Sequence, residues 1–264
     1  MRFDVITLFP DLFAPFLTQG INRRAFESGQ VQVKVWNLRD HTEGNYRRVD
    51  DRPFGGGPGM VMMAEPLTRC LHSVRADRQD APESLAPVVL FSPIGQTLRH
   101  GSVEQWAHSQ GAVLVCGRYE GIDQRFIDAY VDLQISLGDF VLSGGELAAM
   151  ALLDAVARLQ PGVLNDAGSH QQDSFNPALD GLLDCPHYTR PEVWMHNGQA
   201  QAVPEVLLSG DHARIARHRR QQSLTVTATY RPDVLEQVRQ AGKLTVQDQK
   251  FLASGMNEPT RKQG

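Results

Sequence analysis

Three glycine-bearing stretches offer the residue types from which a ligand site is made: SPIGQ at 92–96, CGRYEG at 116–121 and LGDFVLSGG at 137–145. Each follows an apolar run that reads as a strand, over Pro87–Phe91, Ala112–Cys116 and Val131–Leu137. Glycine lets main-chain N–H and C=O groups face a ligand with no side chain between them. In open α/β sheets, ligands bind beyond the carboxyl ends of the strands. The order of the stretches therefore predicts one site lined by Gly95, Gly117, Gly121, Gly138, Gly144 and Gly145. A fourth glycine run, VDDRPFGGGPGM, lies in the polar stretch Arg39–Met60 and reads either as a close-approach loop or as a surface loop.

Two charged features add to this. Ser143-Gly144-Gly145-Glu146 has the form of a capping box, which predicts a helix from Gly144 to about Leu159. That helix is apolar nearly all round and is expected inside the molecule. Its charged residues Glu146, Asp154 and Arg158 share one stripe with Met150. Asp154 and Arg158 are spaced for an i,i+4 ion pair, but buried charges need partners or a function. Further on, DHARIARHRR at 211–220 holds four arginines and one aspartate, locally +3 in a chain of net charge -4. A nucleic acid responds to the local field within about 10 Å, so this stretch outweighs the total.

Other chemistries fail on spacing. No G-x-G-x-x-G follows the first strand, and GGGPGM lacks the lysine and Ser/Thr of a phosphate loop. There is no Gly-x-Ser-x-Gly elbow. His187, His196, His212 and His218 have no zinc-ligand spacing, and no metal site is expected from ligand spacing. Cys70, Cys116 and Cys185 are scattered, which with the absence of a signal peptide suits a cytosolic, reduced protein. No apolar run approaches the roughly 20 residues of a membrane span.

The elements around the site alternate. Phe3–Phe9 and the Val31, Val33, Val35 alternation read as strands. Asp11–Leu17, Asn22–Glu27, Glu65–Arg75, a helix capped by Ser102, and Asp123–Ala129 read as helices. This predicts an α/β domain with a mostly parallel sheet over 1–160. Residues 76–87 read as a polar connector. Residues 161–180 lack periodicity and read as a flexible linker or lid. Residues 181–264 read as a small all-helical domain, with helices near Pro204–Leu208, Asp211–Gln222, Arg231–Ala241 and Thr245–Ser254. The whole has 264 residues, 41% apolar and 21% charged, ordinary for a globular protein.

The motifs ITLFP, VDDRPFGGGPGMVMM, LVCGRYEGID, LGDFVLSGGELAAM, DSFNPALDGLLDCPHYTRPEVW and VPEVLLSGDHARIARHRRQQSL, spread over about 1–225, resemble the bacterial tRNA (guanine-N1)-methyltransferases of the trefoil-knotted SPOUT class. The resemblance implies a knot in the sheet's C-terminal part. It implies methyl transfer from S-adenosyl-L-methionine to N1 of guanine 37 in tRNA, and a homodimer with active sites at the subunit interface. Magnesium dependence is also implied, with Glu120 as a participant, although no ligand cluster is legible.

Carried over by residue, the cofactor pocket comprises Ser92, Pro93, Gly117, Tyr119, Glu120, Leu137, Gly138, Asp139, Phe140, Val141, Leu142, Gly144 and Gly145. Asp173 matches the general base and Arg158 the arginine that assists it. Asp50 and Arg52 match the loop approaching the guanine. Arg214, Arg217, Arg219 and Arg220 are candidate phosphate contacts. The sequence departs from the family at Ala148, where proline is frequent, and at Leu90-Phe91, in place of Tyr-Leu. Two rival readings remain: an α/β transferase using another adenosine ligand, which needs a cation beside the glycines, and a non-catalytic RNA-binding protein, for which Asp173 is dispensable.

Overall fold

A computed structural model describes residues 1–79, 85–164 and 169–255. Parts of the predicted connector and linker, and the tail beyond 255, lie outside the described residues. The chain divides into two compact units, 1–167 and 168–264.

The first unit begins with β1 (Arg2–Thr7), the short helices α1 (Phe13–Thr18) and α2 (Arg23–Glu27), and β2 (Gln32–Asn37). The two-residue strands β3 (Asp50–Asp51) and β4 (Val61–Met62) pair antiparallel and close the glycine-rich loop. Helix α3 (Ala64–Arg78), β5 (Val88–Thr97), α4 (His100–Ala107) and β6 (Gly111–Val115) follow. Then come α5 (Gln124–Tyr130), β7 (Leu133–Ser136) and α6 (Glu146–Ala157).

Five strands form one sheet in the order β2-β1-β6-β5-β7, every pair parallel. Their side chains alternate between two buried layers, as the period of two requires. Phe3, Val5, Val89 and Leu114 pack with α1, α2, α4 and α6. Ile6, Val88, Leu90, Val113 and Val115 pack with α3 and α5. A parallel sheet covered on both faces explains why its strands read as continuous apolar runs.

Helix α6 departs from expectation in its start and in its burial. It starts at Glu146, and no side chain caps Gly145. It is also not interior all round: Leu147, Ala151 and Asp154 are exposed, Leu147 at 57%. Ser102 likewise stands inside α4 rather than capping it. Arg99 is the cap, and its N–H donates to the Ser102 hydroxyl at 3.1 Å.

The second unit corrects two expectations. It contains an antiparallel hairpin, β8 (Val193–His196) and β9 (Gln199–Ala202), so it is not all helical. Residues 169–180, expected as a linker, make two 3-10 turns, at Ser169–Gln172 and Pro177–Leu179. They hold to their own unit: the Phe175 N–H donates to the Leu182 carbonyl at 2.8 Å, and Asp180 pairs with Arg220. Helices α7 (Glu205–Leu208), α8 (His212–Tyr230), α9 (Pro232–Gln240) and α10 (Val246–Ala253) complete it around Leu182, Leu224, Leu235 and Val238. Helix α8 runs two turns beyond its expected end. The β-branched residues there have poor helix propensity, but Thr225 and Thr227 are buried and their hydroxyls return to the Gln221 and Ser223 carbonyls. No helix among the described residues is long and apolar enough to cross a membrane.

Candidate active site

The three glycine-bearing loops meet at the carboxyl ends of β5, β6 and β7 and enclose a cavity of about 410 Å3. The first loop is made by a break in pairing. Strand β5 pairs with β7 up to Phe91 and resumes at Gln96, so residues 92–95 leave the ladder. Pro93 has no N–H to give to a strand partner, which suits a break at this point. Ser92 and Pro93 form one wall. Gly95 is turned away and packs on the β7 backbone at Gln134.

The other two loops approach by main chain. The Gly145 N–H donates to the Gly117 carbonyl at 3.0 Å, and a Cβ on Gly145 would stand 2.8 Å from the Cys116 Cα. Any side chain at 145 pushes the two loops apart. Gly117, Tyr119, Glu120, Leu137, Gly138, Phe140, Val141, Leu142, Gly144 and Gly145 all line the cavity, as does Ala148. Asp139 is the exception. The Phe140 N–H donates to the Gly138 carbonyl at 2.9 Å, a tight turn that leaves Asp139 exposed at its apex.

The glycine-rich loop is docked rather than free. Main-chain hydrogen bonds join Glu120 to Met60 (3.0 Å), Met62 to Gly121 (2.9 Å) and Asp123 to Met62 (2.9 Å). Tyr119, in the left-handed region at φ +61, brings its hydroxyl to Asp50 and Arg39. Burial and then the Asp50 charge push the Tyr119 hydroxyl above its usual pKa. Asp50 therefore reaches the cavity rim. Arg52 lies just beyond β3 and is exposed.

Sequence reading missed Arg118, which also lines the cavity. Its guanidinium comes beside Gly144 and lies 2.9 Å from Glu146. Glu146, 1% exposed, accepts from the Thr7 hydroxyl at 2.8 Å. The available signal was the embedded acid itself: a carboxylate on an apolar helix requires a cation or donors.

The remaining candidates are not among the residues that line the cavity. Arg158 is the residue that ends α6. The Asp154 carboxylate takes the Asn22 amide. Asp173 belongs to the second unit, half-buried, its carbonyl accepting from the Asn176 N–H at 3.1 Å. Arg214, Arg217 and Arg219 are exposed along α8. Arg220 is not free for phosphate: it binds Asp248 (2.9 Å) and Asp180 (2.9 Å). Among the described residues no three His, Cys, Asp or Glu side chains gather as a metal site.

The cavity suits a small organic cation with an apolar body. Its volume falls within the roughly 300–1,000 Å3 of ligand sites. Its walls combine accessible main chain with Leu90, Ile122 and Ile135. A guanidinium does stand beside the glycines, as a phosphate ligand requires, but Glu146 already neutralises it. Glu120 then leaves the lining negative, which fits the ammonium and sulfonium of S-adenosylmethionine.

Fold and site together define a parallel α/β protein that holds a ligand by main-chain groups beyond the carboxyl ends of its strands. Over residues 1–237 the chain matches the family described as tRNA (Guanine-1)-methyltransferase TrmD, and it belongs to that family. It is 70% identical to the tRNA (guanine-N(1)-)-methyltransferase of Paracidovorax citrulli, over 96% of this chain and 98% of that one. Identity is 67% to the enzyme of that name from Polaromonas sp., over 98% of both chains, and 54% to that of Bordetella pertussis, over 96% and 97%.

Proposed function

We propose that the protein transfers a methyl group from S-adenosyl-L-methionine to N1 of guanine 37 in tRNA. The observation that carries this reading is the single cavity formed by the three loops, in a chain that matches the methyltransferase family over 1–237. When bound, S-adenosylmethionine supplies an electrophilic methyl group. Main-chain groups of Leu137–Leu142 hold its adenine, and Glu120 faces its ammonium.

N1 of neutral guanine carries a proton and is a poor nucleophile. The Asp173 carboxylate would take that proton, and as it leaves, negative charge develops on the base, largely at O6, where the Arg158 guanidinium stabilises it. Transfer of the methyl from sulfur to N1 would then neutralise the base and leave the donor as the neutral thioether S-adenosylhomocysteine. Arg214, Arg217 and Arg219 contact phosphates.

Two features support a homodimer with shared sites. Helix α6 starts beneath the cavity, and Arg158 stands twelve residues on, about 18 Å away at 1.5 Å per residue. An arginine there serves a neighbour's cavity more readily than its own. Ile94 (82% exposed), Val141 (86%), Phe140 and Leu147 also leave an apolar surface around the cavity mouth and α6. A surface of that kind marks an interface, and a two-fold axis makes two identical sites.

The test is incubation with methyl-labelled S-adenosylmethionine and unmodified tRNA, followed by mapping of the label. Label at N1 of guanine 37, absent when that base is replaced, is expected. Asp173→Asn is expected to lower single-turnover methylation by about 10²–10⁴ with cofactor affinity retained. Label elsewhere, or none with a protein that binds tRNA, refutes the assignment.

A further inference from the structure

Under the cavity a relay of polar groups joins segments distant in sequence. The Thr7 hydroxyl, at the end of β1, donates to Glu146 Oε1 at 2.8 Å. Glu146 Oε2 lies 2.9 Å from Arg118 Nη2. Arg118 Nη1 in turn donates to the Ser143 carbonyl at 3.0 Å and reaches its hydroxyl at 3.3 Å. The Phe9 ring lies 4.4 Å from the guanidinium. Gly144 rests on the same group: a Cβ there would be 2.2 Å from Arg118 Nε. The guanidinium thus supports the Ser143–Gly145 turn that closes the cavity.

The relay is incomplete. Arg118 Nε and Glu146 Oε2 are buried without a hydrogen-bond partner. The ion pair brings the charges together without aligning a hydrogen bond at that oxygen. An ion pair retained only for stability gains little over apolar packing, and orphaned atoms make it worse. Charge balance explains its presence. Arg118 lines a cavity whose proposed ligand carries a sulfonium, and a bare guanidinium there repels it.

We propose that Glu146 is a positioning and charge-balancing residue of the cofactor site, which through Arg118 fixes the Ser143–Gly145 turn and cancels a positive charge that would select against a sulfonium. The inference rests on S-adenosylmethionine being the ligand. It predicts a signature that packing alone does not produce. S-adenosylmethionine and S-adenosylhomocysteine differ by one methyl and one positive charge, so the ratio of their affinities reads the charge of the site.

The experiment is calorimetric titration of both ligands into wild type, Glu146→Gln, Arg118→Gln and the double variant, with ligand-free melting recorded for each. Glu146→Gln keeps shape and an acceptor for Thr7 but leaves Arg118 unbalanced. It is expected to weaken S-adenosylmethionine about tenfold more than S-adenosylhomocysteine, the scale of two like charges several ångströms apart at an effective dielectric near 20. Arg118→Gln shifts the ratio the other way. The double variant, neutral again, restores the wild-type ratio even if both ligands bind more weakly. Equal weakening of both ligands in Glu146→Gln, or no restoration in the double variant, overturns the inference. If Glu146→Gln does not fold, the opposite shift in Arg118→Gln decides alone. Wild type that binds neither ligand removes the cofactor reading itself, an outcome distinct from binding with an unshifted ratio.

Discussion

Two buried carboxylates stand on opposite faces of the sheet at strand β1, Asp4 on the strand itself and Glu146 reaching it from α6, and they are satisfied to different degrees. Asp4, fully buried, accepts from Arg2 (3.0 and 2.7 Å), Arg78 (2.7 Å) and the Trp36 indole (2.8 Å). Its oxygens are filled, and Arg2 goes on to Asp77. Glu146, three residues of β1 away through Thr7, has one hydroxyl donor and an orphaned oxygen. A saturated network fastens elements together: here β1, β2 and α3. An unsaturated one, beside a cavity, leaves polar capacity for a function. The count of filled lone pairs separates the two where burial does not.

The largest effect that tests this contrast is Asp4→Ala. It removes the buried acceptor shared by Arg2, Arg78 and the Trp36 indole and is expected to cost about 3–5 kcal/mol, a fall in Tm of roughly 10 °C. Affinity of the folded protein for S-adenosylhomocysteine should stay within about twofold. A selective loss of affinity with stability intact breaks the comparison. Thr7→Val, at the other carboxylate, removes a donor from Glu146 and an acceptor from the Phe9 N–H. About 1–3 kcal/mol is expected from urea unfolding, this time with weaker ligand binding.

The second unit repeats the contrast among arginines. Arg220→Ala removes the partner of Asp248 and Asp180 and should cost about 1–2 kcal/mol, after allowing for partial exposure, while leaving the salt dependence of tRNA binding unchanged. Alanine at Arg214, Arg217 or Arg219 should leave stability unchanged and flatten that dependence by about one unit of slope for each phosphate contact. The smallest effect is one of pH. Burial raises the Asp248 carboxyl, but Arg220 and Thr245 outweigh it and hold the group below its usual value. The stability from a lowered carboxyl is complete above the unfolded pKa near 4 and is lost as pH falls through the folded one. Denaturant midpoints should therefore drop below about pH 4 in wild type and less steeply in Asp248→Asn.

The sheet and the glycine loops were legible because both leave local marks: period-two apolar runs and residues without side chains. The role of Glu146 was not, because Ser-x-x-Glu has a sufficient local meaning as a cap, while its actual partners stand at 7 and 118. Arg118 was hidden the same way, between two glycines that drew attention to the backbone. The hairpin carried a signal, Asn197-Gly198, with φ of +50 and +77, the two left-handed residues of a tight turn. Its strands are exposed on both faces, so no alternation announced them. Asp173 was visible only through resemblance, since an acid in a polar stretch has no local peculiarity.

The hydrogen bond from Thr7 to Glu146 spans 139 residues. At a synthesis rate of about 5–20 residues per second, its two ends are made on the order of ten seconds or more apart. Strand β1 can pair with β2 early, but its other neighbour, β6, arrives only when about two fifths of the chain has been made, and the carboxylate beneath the cavity only when more than half has. Until then one edge of β1 is an open template for other chains. The ligand cannot assist before that point, since a nascent chain shorter than 146 residues has no floor to its pocket. Capture of S-adenosylhomocysteine by chains stalled at increasing lengths should switch on only beyond α6, making ligand binding a clock for the completion of this fold.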